Sequence, residues 1–170
     1  MTGFDADISG WTVSDSVSVR HVFPADTYVL NGCAIVVFGG GTPTGTFGNA
    51  TVQTASTGSL GLNNSGDTVT LNNGNEDVAT HNYGSEGGDN QSITRDPDIV
   101  GTNFVKHSEA TGSGGSLYSP GMMVDGTQIC FDTGAPTLVD CNGNMGVFSG
   151  EAGMHAVTAS DAENGIVAIK

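Results

Sequence analysis

The sequence predicts an all-β protein of short strands, and three observations carry that prediction. Helical periodicity is almost absent, while segments rich in Val, Thr, Ile and Phe alternate apolar and polar residues. The 27 glycines among 170 residues oppose long helices and suit turns and bulges. Asn31-Gly32 and Asn73-Gly74, the strongest kind of short turn signal, each stand between extended runs. About seven or more short strands with regular turns fit a sandwich or a barrel, and the pattern alone leaves both open.

The elements follow in order. WTVSDSVSVRHVF alternates over much of its length and reads as a hairpin with one wet face. CAIVVFGGG, continuously apolar, is expected to be a central strand buried on both faces, reached from TYVL through the Asn31-Gly32 turn. From Thr42 to Leu60 the chain is small and polar, a loop or irregular edge anchored by Phe47 and Val52. GDTVTLNN is the cleanest strand, with Val69 and Leu71 on one face and Thr68 and Thr70 on the other. EDVATHNYG pairs back on it across Asn73-Gly74. SEGGDNQSITRDPDIVG reads as mostly loop, with an extended piece at Ser92 to Thr94. Beyond Tyr118, SPGMMVDG is a linker-like turn, TQICFD and TLVDC form a candidate hairpin, and MHAVTAS and GIVAIK are two strands around DAENG. The expected organisation is a core module over residues 1–118 and a C-terminal β-hairpin extension over 119–170 that packs on or completes it.

Charge limits the partners. Four Lys and Arg stand against 18 Asp and Glu, a formal net charge of −14, so the surface repels phosphate backbones and anionic membranes. Nucleic acid is excluded on that ground. Only 13% of residues are charged, where a globular domain carries about a quarter. The polar surface is therefore Ser, Thr, Asn and Gly, as in an extracellular or cell-surface β-protein, with an acidic cytosolic protein as the alternative. CAIVVF is too short to span a bilayer, and Met1 leads into TGFDADISG without a basic or apolar leader, so an exported form would be a mature piece or part of a longer precursor.

Cys33, in NGCAIVVF, reads as a buried free thiol. Cys130 and Cys141 flank a Gly-Ala-Pro turn. A hairpin there would bring them within bonding reach, and an oxidising compartment would close the bridge. In a reducing compartment they would stay two thiols on neighbouring strands.

The order of DISGWTVSD, VRHVFPADTYVLNGCAIVVFGGG, LNNSGDTVTLNN and QSITRDPDIVGTNF resembles the lamin tail domain family, in its bacterial form, over roughly residues 4 to 118. The resemblance implies an immunoglobulin-like β-sandwich. It also implies an opening strand before the Ser-Gly-Trp element, which this chain lacks. A C-terminal strand would fill that slot, or a second copy would, as a homodimer through the exposed sheet edge. Within the matching motifs, Gly10 permits a tight entry and Trp11 fills the core. Phe23-Pro24 ends a strand, and Phe38, Val69 and Leu71 complete the apolar interior. Arg95 is expected to tie down its loop through a carboxylate or backbone carbonyls, with a ligand contact as the alternative. Chromatin binding is not carried over, because the charge opposes it.

Catalytic motifs are missing. No Gly-x-Ser-x-Gly elbow occurs; Ser116 and Ser119 merely share a glycine-rich loop. His21, His81, His107 and His155 are scattered, without metal-ligand spacing, and each reads as a single surface histidine. Glu86, Asp89, Asp96 and Asp98 lie in loops where carboxylates bind calcium, the one cofactor weighed; otherwise none is expected. Tyr83 and Tyr118 flank glycine-rich loops and serve either as sugar platforms or as plugs at the ends of the sandwich. The expected function is a non-catalytic structural, adhesion or protein-docking module of an extracytoplasmic bacterial protein. The alternative is a calcium- or carbohydrate-binding accessory module of a larger secreted hydrolase, its protein or glycan partner unnamed.

Overall fold

The structure, a computed structural model, describes residues 6–130 and the backbone of three further strands, Thr137–Asp140, Val157–Asp161 and Gly165–Ile169. Among the described residues the only helical pieces are 3-10 turns at Ser85–Gly88 and His107–Glu109. The chain divides into two units, Met1–Cys130 and Phe131–Lys170.

In the first unit, β1 (Ala6–Asp7) pairs antiparallel with β4 (Tyr28–Val29). β2 (Thr12–Ser14) and β3 (Val19–Val22) form the expected hairpin, and Gly10 makes the entry to it. The Gly10 N–H donates to the Phe23 carbonyl at 2.8 Å with φ at +76°, a conformation any side chain would strain. Trp11 is half-buried and accepts the Phe23 N–H through its carbonyl. Ile8 and Phe23 are buried beside it.

β7 (Asp67–Asn72) and β8 (Asp77–Tyr83) form the second hairpin, closed by Asn73, whose N–H donates to the Glu76 carbonyl. The sheet order is β3-β2-β7-β8. Its two faces sort as the alternation requires. Thr68 pairs with Asn82 and Thr70 with Thr80 on one face, through side-chain hydrogen bonds that bridge the strands. Val69 and Leu71, half-buried, occupy the other, level with His81 and Ala79. The His81 ring continues inward and stacks on Phe104, centroids 3.7 Å apart. Phe104 belongs to β10 (Asn103–Lys106), which pairs with β9 (Ile93–Asp96).

Three expectations change here. The apolar run becomes β5 (Ile35–Phe38), whose residues are half-buried rather than sealed on both faces. Its partner is β6 (Thr51–Thr54), drawn from the segment read as a loop or irregular edge and running parallel to it. Asn31-Gly32 does make a turn, with the Cys33 N–H on the Leu30 carbonyl. Its flanks join different partners, β4 to β1 and β5 to β6, so it closes no hairpin. Phe47 anchors the β5–β6 connection against Phe38, ring centroids 5.1 Å apart.

The boundary between units falls after Cys130, later than residue 118. Residues 119–130 are held to the first unit by several contacts. The Val124 N–H donates to Asp98 Oδ2 at 2.7 Å, and Val124 is buried. Gly48 and Gly121 approach each other so closely that a Cβ on either would strike backbone of the other's segment. This stretch folds on itself through a Met122–Gln128 bridge. Cys130 is bonded to Cys33, with Cα atoms 4.3 Å apart across a sequence separation of 97. That corrects both cysteine readings: Cys33 is not a free thiol, and the bridge does not run from Cys130 to Cys141. The turn of the hairpin expected between TQICFD and TLVDC lies outside the described residues. Cys141 itself lies outside the described residues, as does His155.

The second unit contributes an antiparallel order β11-β12-β13, of Thr137–Asp140, Val157–Asp161 and Gly165–Ile169. The strands expected around DAENG are the last two.

Candidate functional site

An open cleft of about 640 Å³ lies between β3 and β6. β3 contributes His21 and Val22, and β6 contributes Val52, Gln53 and Thr54. Pro24, Pro43 and Ser56 complete the lining. The lining mixes polar His21, Gln53, Thr54 and Ser56 with apolar Val22, Val52, Pro24 and Pro43. His21, expected at the surface, is 2% exposed and fully engaged. The Ser56 N–H donates to its Nδ1 at 3.2 Å, so the ring proton sits on Nε2 and is donated to Gln53 Oε1 at 2.8 Å. Phe23 meets the ring edge-on at 4.6 Å between centroids. This pairing fixes β3 and β6 at the separation that leaves the cleft open.

Beneath the β2–β3 turn lies a second polar cluster that no sequence signal announced. Asp15 accepts the Val17 and Ser18 amides and the Arg20 Nε–H. Asp67 accepts from the Ser16 and Thr68 amides and from both the main chain and side chain of Asn63. Hydrogen bonding, from Arg20 first for Asp15 and from Ser16 first for Asp67, holds both carboxyls below the ordinary carboxylate range. Gly61 passes directly over the Asp15–Arg20 pair, with φ at +67° and no room for a Cβ. The cluster locks the turn and has no chemistry left over.

His107 is likewise 2% exposed, not a surface histidine. Its Nδ1 donates to the Ser116 carbonyl and its Nε2 meets Ser119 Oγ, both at 2.8 Å. A serine on a histidine nitrogen is the arrangement of a nucleophile and its base. Here the ring is sealed, and both nitrogens clasp the 116–119 loop. Burial and chain connectivity make it a structural clasp.

The acidic residues weighed for calcium are dispersed among protein donors. Glu86 accepts the Gly84 N–H, which lowers its pKa. Asp89 is ion-paired with Lys106 at 2.5 Å, which raises the lysine pKa. Asp96 accepts from Thr111, and Asp98 from Val124. Among the described residues no group of three or more His, Cys, Asp or Glu is placed to hold a metal. Arg95 does what was expected of it, donating to the Gly101 carbonyl at 2.7 Å while lying 4.9 Å from the Phe104 ring centroid. Tyr83 is half-buried and donates to the Asn63 carbonyl, with its pKa pushed up by burial. It plugs rather than displays. Tyr118 is 67% exposed.

Residues 2–85 match the family model described as the Lamin Tail Domain. The chain carries a lamin tail domain. No curated protein and no solved structure matches the chain. The lamin tail domain is a non-enzymatic, immunoglobulin-like family, in keeping with the all-β architecture. The matched residues run from β1 through β8, so the cleft and the Asp15–Asp67 cluster lie inside the lamin tail domain. His107, Ser119 and the β9–β10 pair lie beyond the matched stretch.

Proposed function

We propose that this chain is a non-catalytic docking module of an extracytoplasmic protein. The observation that carries the reading is the Cys33–Cys130 disulfide, which joins residues 97 apart in sequence within the first unit. Such bonds persist in oxidising compartments, whereas cytosolic thiols are kept reduced. The low charged fraction, 13%, points the same way. Docking rather than chemistry is supported by how the reactive side chains are used. His21, His107, Asp15 and Asp67 are buried and bonded to neighbours, while an open cleft lies between two strands. Non-reducing peptide mapping of the protein from its native cells tests the compartment. A cross-linked 33–130 peptide in the exported fraction is expected. Reduced Cys33 and Cys130 in a soluble cytosolic fraction would overturn the reading.

A further inference from the structure

β6 shows the cleft its edge. Val52, Gln53 and Thr54 are consecutive yet all line it, and side chains alternate across a strand, so one face alone cannot supply all three. The main chain agrees. The Thr51 N–H donates to the Ala34 carbonyl at 3.1 Å and the Ala55 N–H to the Phe38 carbonyl at 2.7 Å, so residues 51, 53 and 55 turn their backbone groups toward β5. Val52 and Thr54 therefore turn theirs away from β5, and among the described residues nothing hydrogen-bonds to them. The opposing edge, β3, is already blunted: Val22 donates its N–H to Ser56 Oγ, and the Arg20 carbonyl accepts from the Thr57 N–H and hydroxyl. One open strand edge thus faces a cleft whose walls include Val22, 45% exposed, and Val52, 37% exposed.

We propose that the β6 edge takes up an extended segment of a basic partner protein as an added strand. Resting on the docking reading above, this names the site and the partner chemistry. Main-chain bonds to Val52 and Thr54 give affinity, and apolar side chains at alternate positions of the segment meet Val22, Val52, Pro24 and Pro43. A cleft of about 640 Å³ is within the range of ligand pockets. Charge selects the partner. The net charge is −14, and the described basic side chains are committed: Arg20 to Asp15, Lys106 to Asp89, Arg95 to Gly101. The field steers basic chains inward and repels a second copy of equal charge.

The test pans a random linear-peptide library against the full chain. Thr54→Pro removes one outward N–H and leaves the β5 ladder intact, as proline is tolerated at a strand edge facing away from its partner. Val22→Lys places a cation in the opposite wall without touching β6. The expected result is a set of Lys- and Arg-rich peptides that weaken with salt. They should lose about tenfold or more in affinity on Thr54→Pro and on Val22→Lys, with unchanged thermal midpoints confirming that both variants fold. Peptides that bind wild type and both variants alike overturn the β6 assignment and leave docking elsewhere standing. A library that yields no binder overturns both readings. A wild-type dimer that Thr54→Pro converts to monomer replaces the basic partner with a second copy.

Discussion

Arg20 reaches back across the β2–β3 turn to Asp15, its Nε 2.7 Å and its Nη2 2.5 Å from the same carboxylate oxygen, and the Asp15 side chain is 1% exposed. The other Asp15 oxygen holds the turn's amides, so one buried carboxylate organises residues 17, 18 and 20. Asp67 does the same for residues 16, 63 and 68. A carboxylate whose folded pKa lies below its unfolded one stabilises the fold above the unfolded value and loses that contribution as pH falls through the folded one. Both are of this kind. The thermal midpoint should therefore be level from neutral pH to about 5 and fall steeply below about 4. Asp67→Asn should lower the midpoint at neutral pH and flatten the acid limb, so the two curves converge on acidification. Calorimetry across this range decides it; parallel curves would remove Asp67 from the account.

The bridge between Cys33 and Cys130 closes a loop of 97 residues in sequence. Cross-linking a loop of that order contributes about 2–5 kcal/mol, chiefly by restricting the unfolded chain. Reduction of the wild type, or the double substitution Cys33→Ser with Cys130→Ser, should lower unfolding free energy by that amount. Cys141→Ser should leave it unchanged. Urea titration of the three proteins reads the result, and a loss on Cys141→Ser equal to that of the double variant would refute the pairing.

His107 joins parts of the chain that also meet through Ser92, whose carbonyl accepts the His107 N–H and whose N–H donates to the Leu117 carbonyl. Replacing the ring leaves the Ser116 carbonyl and Ser119 hydroxyl without it in a buried setting. His107→Phe keeps the volume but loses both bonds, and should cost about 2–4 kcal/mol. Ser119→Ala should cost less, about 1–2 kcal/mol, because the Ser116 bond survives. Equal stability of wild type and His107→Phe by denaturant titration would show that the clasp is idle.

Local signals announced some of this architecture and were silent on the rest. The β7–β8 hairpin was legible because Asn73-Gly74 and the alternation of Val69 and Leu71 with Thr68 and Thr70 act within a dozen residues. The β5–β6 pair was not, since a parallel partner must come from beyond a connection, and Thr51–Thr54 is too polar to look like one. The histidines misled for a related reason. Whether a lone imidazole is buried depends on its partners, and Gln53 and Ser56 for His21 are over thirty residues away. Asp15 and Asp67 were hidden by composition, because in a chain with 18 acids no single one stands out. Cys130 was paired with its sequence neighbour, when the fold of 121–130 delivers it to Cys33 instead.

Phe23 is the buried apolar side chain that packs against His21, a residue of the cleft lining. It is 5% exposed and holds the His21 ring edge-on. Removing it deletes buried aromatic surface and frees the imidazole that spaces β3 from β6. Phe23→Ala should destabilise the protein by about 3–5 kcal/mol. Val17, 79% exposed at the tip of the same hairpin, should change stability by no more than about 0.5 kcal/mol on substitution to Ala. The contrast separates a packing role from a general sensitivity of the hairpin. If the two variants lose stability equally in urea, Phe23 is not the support on which His21 and the cleft depend.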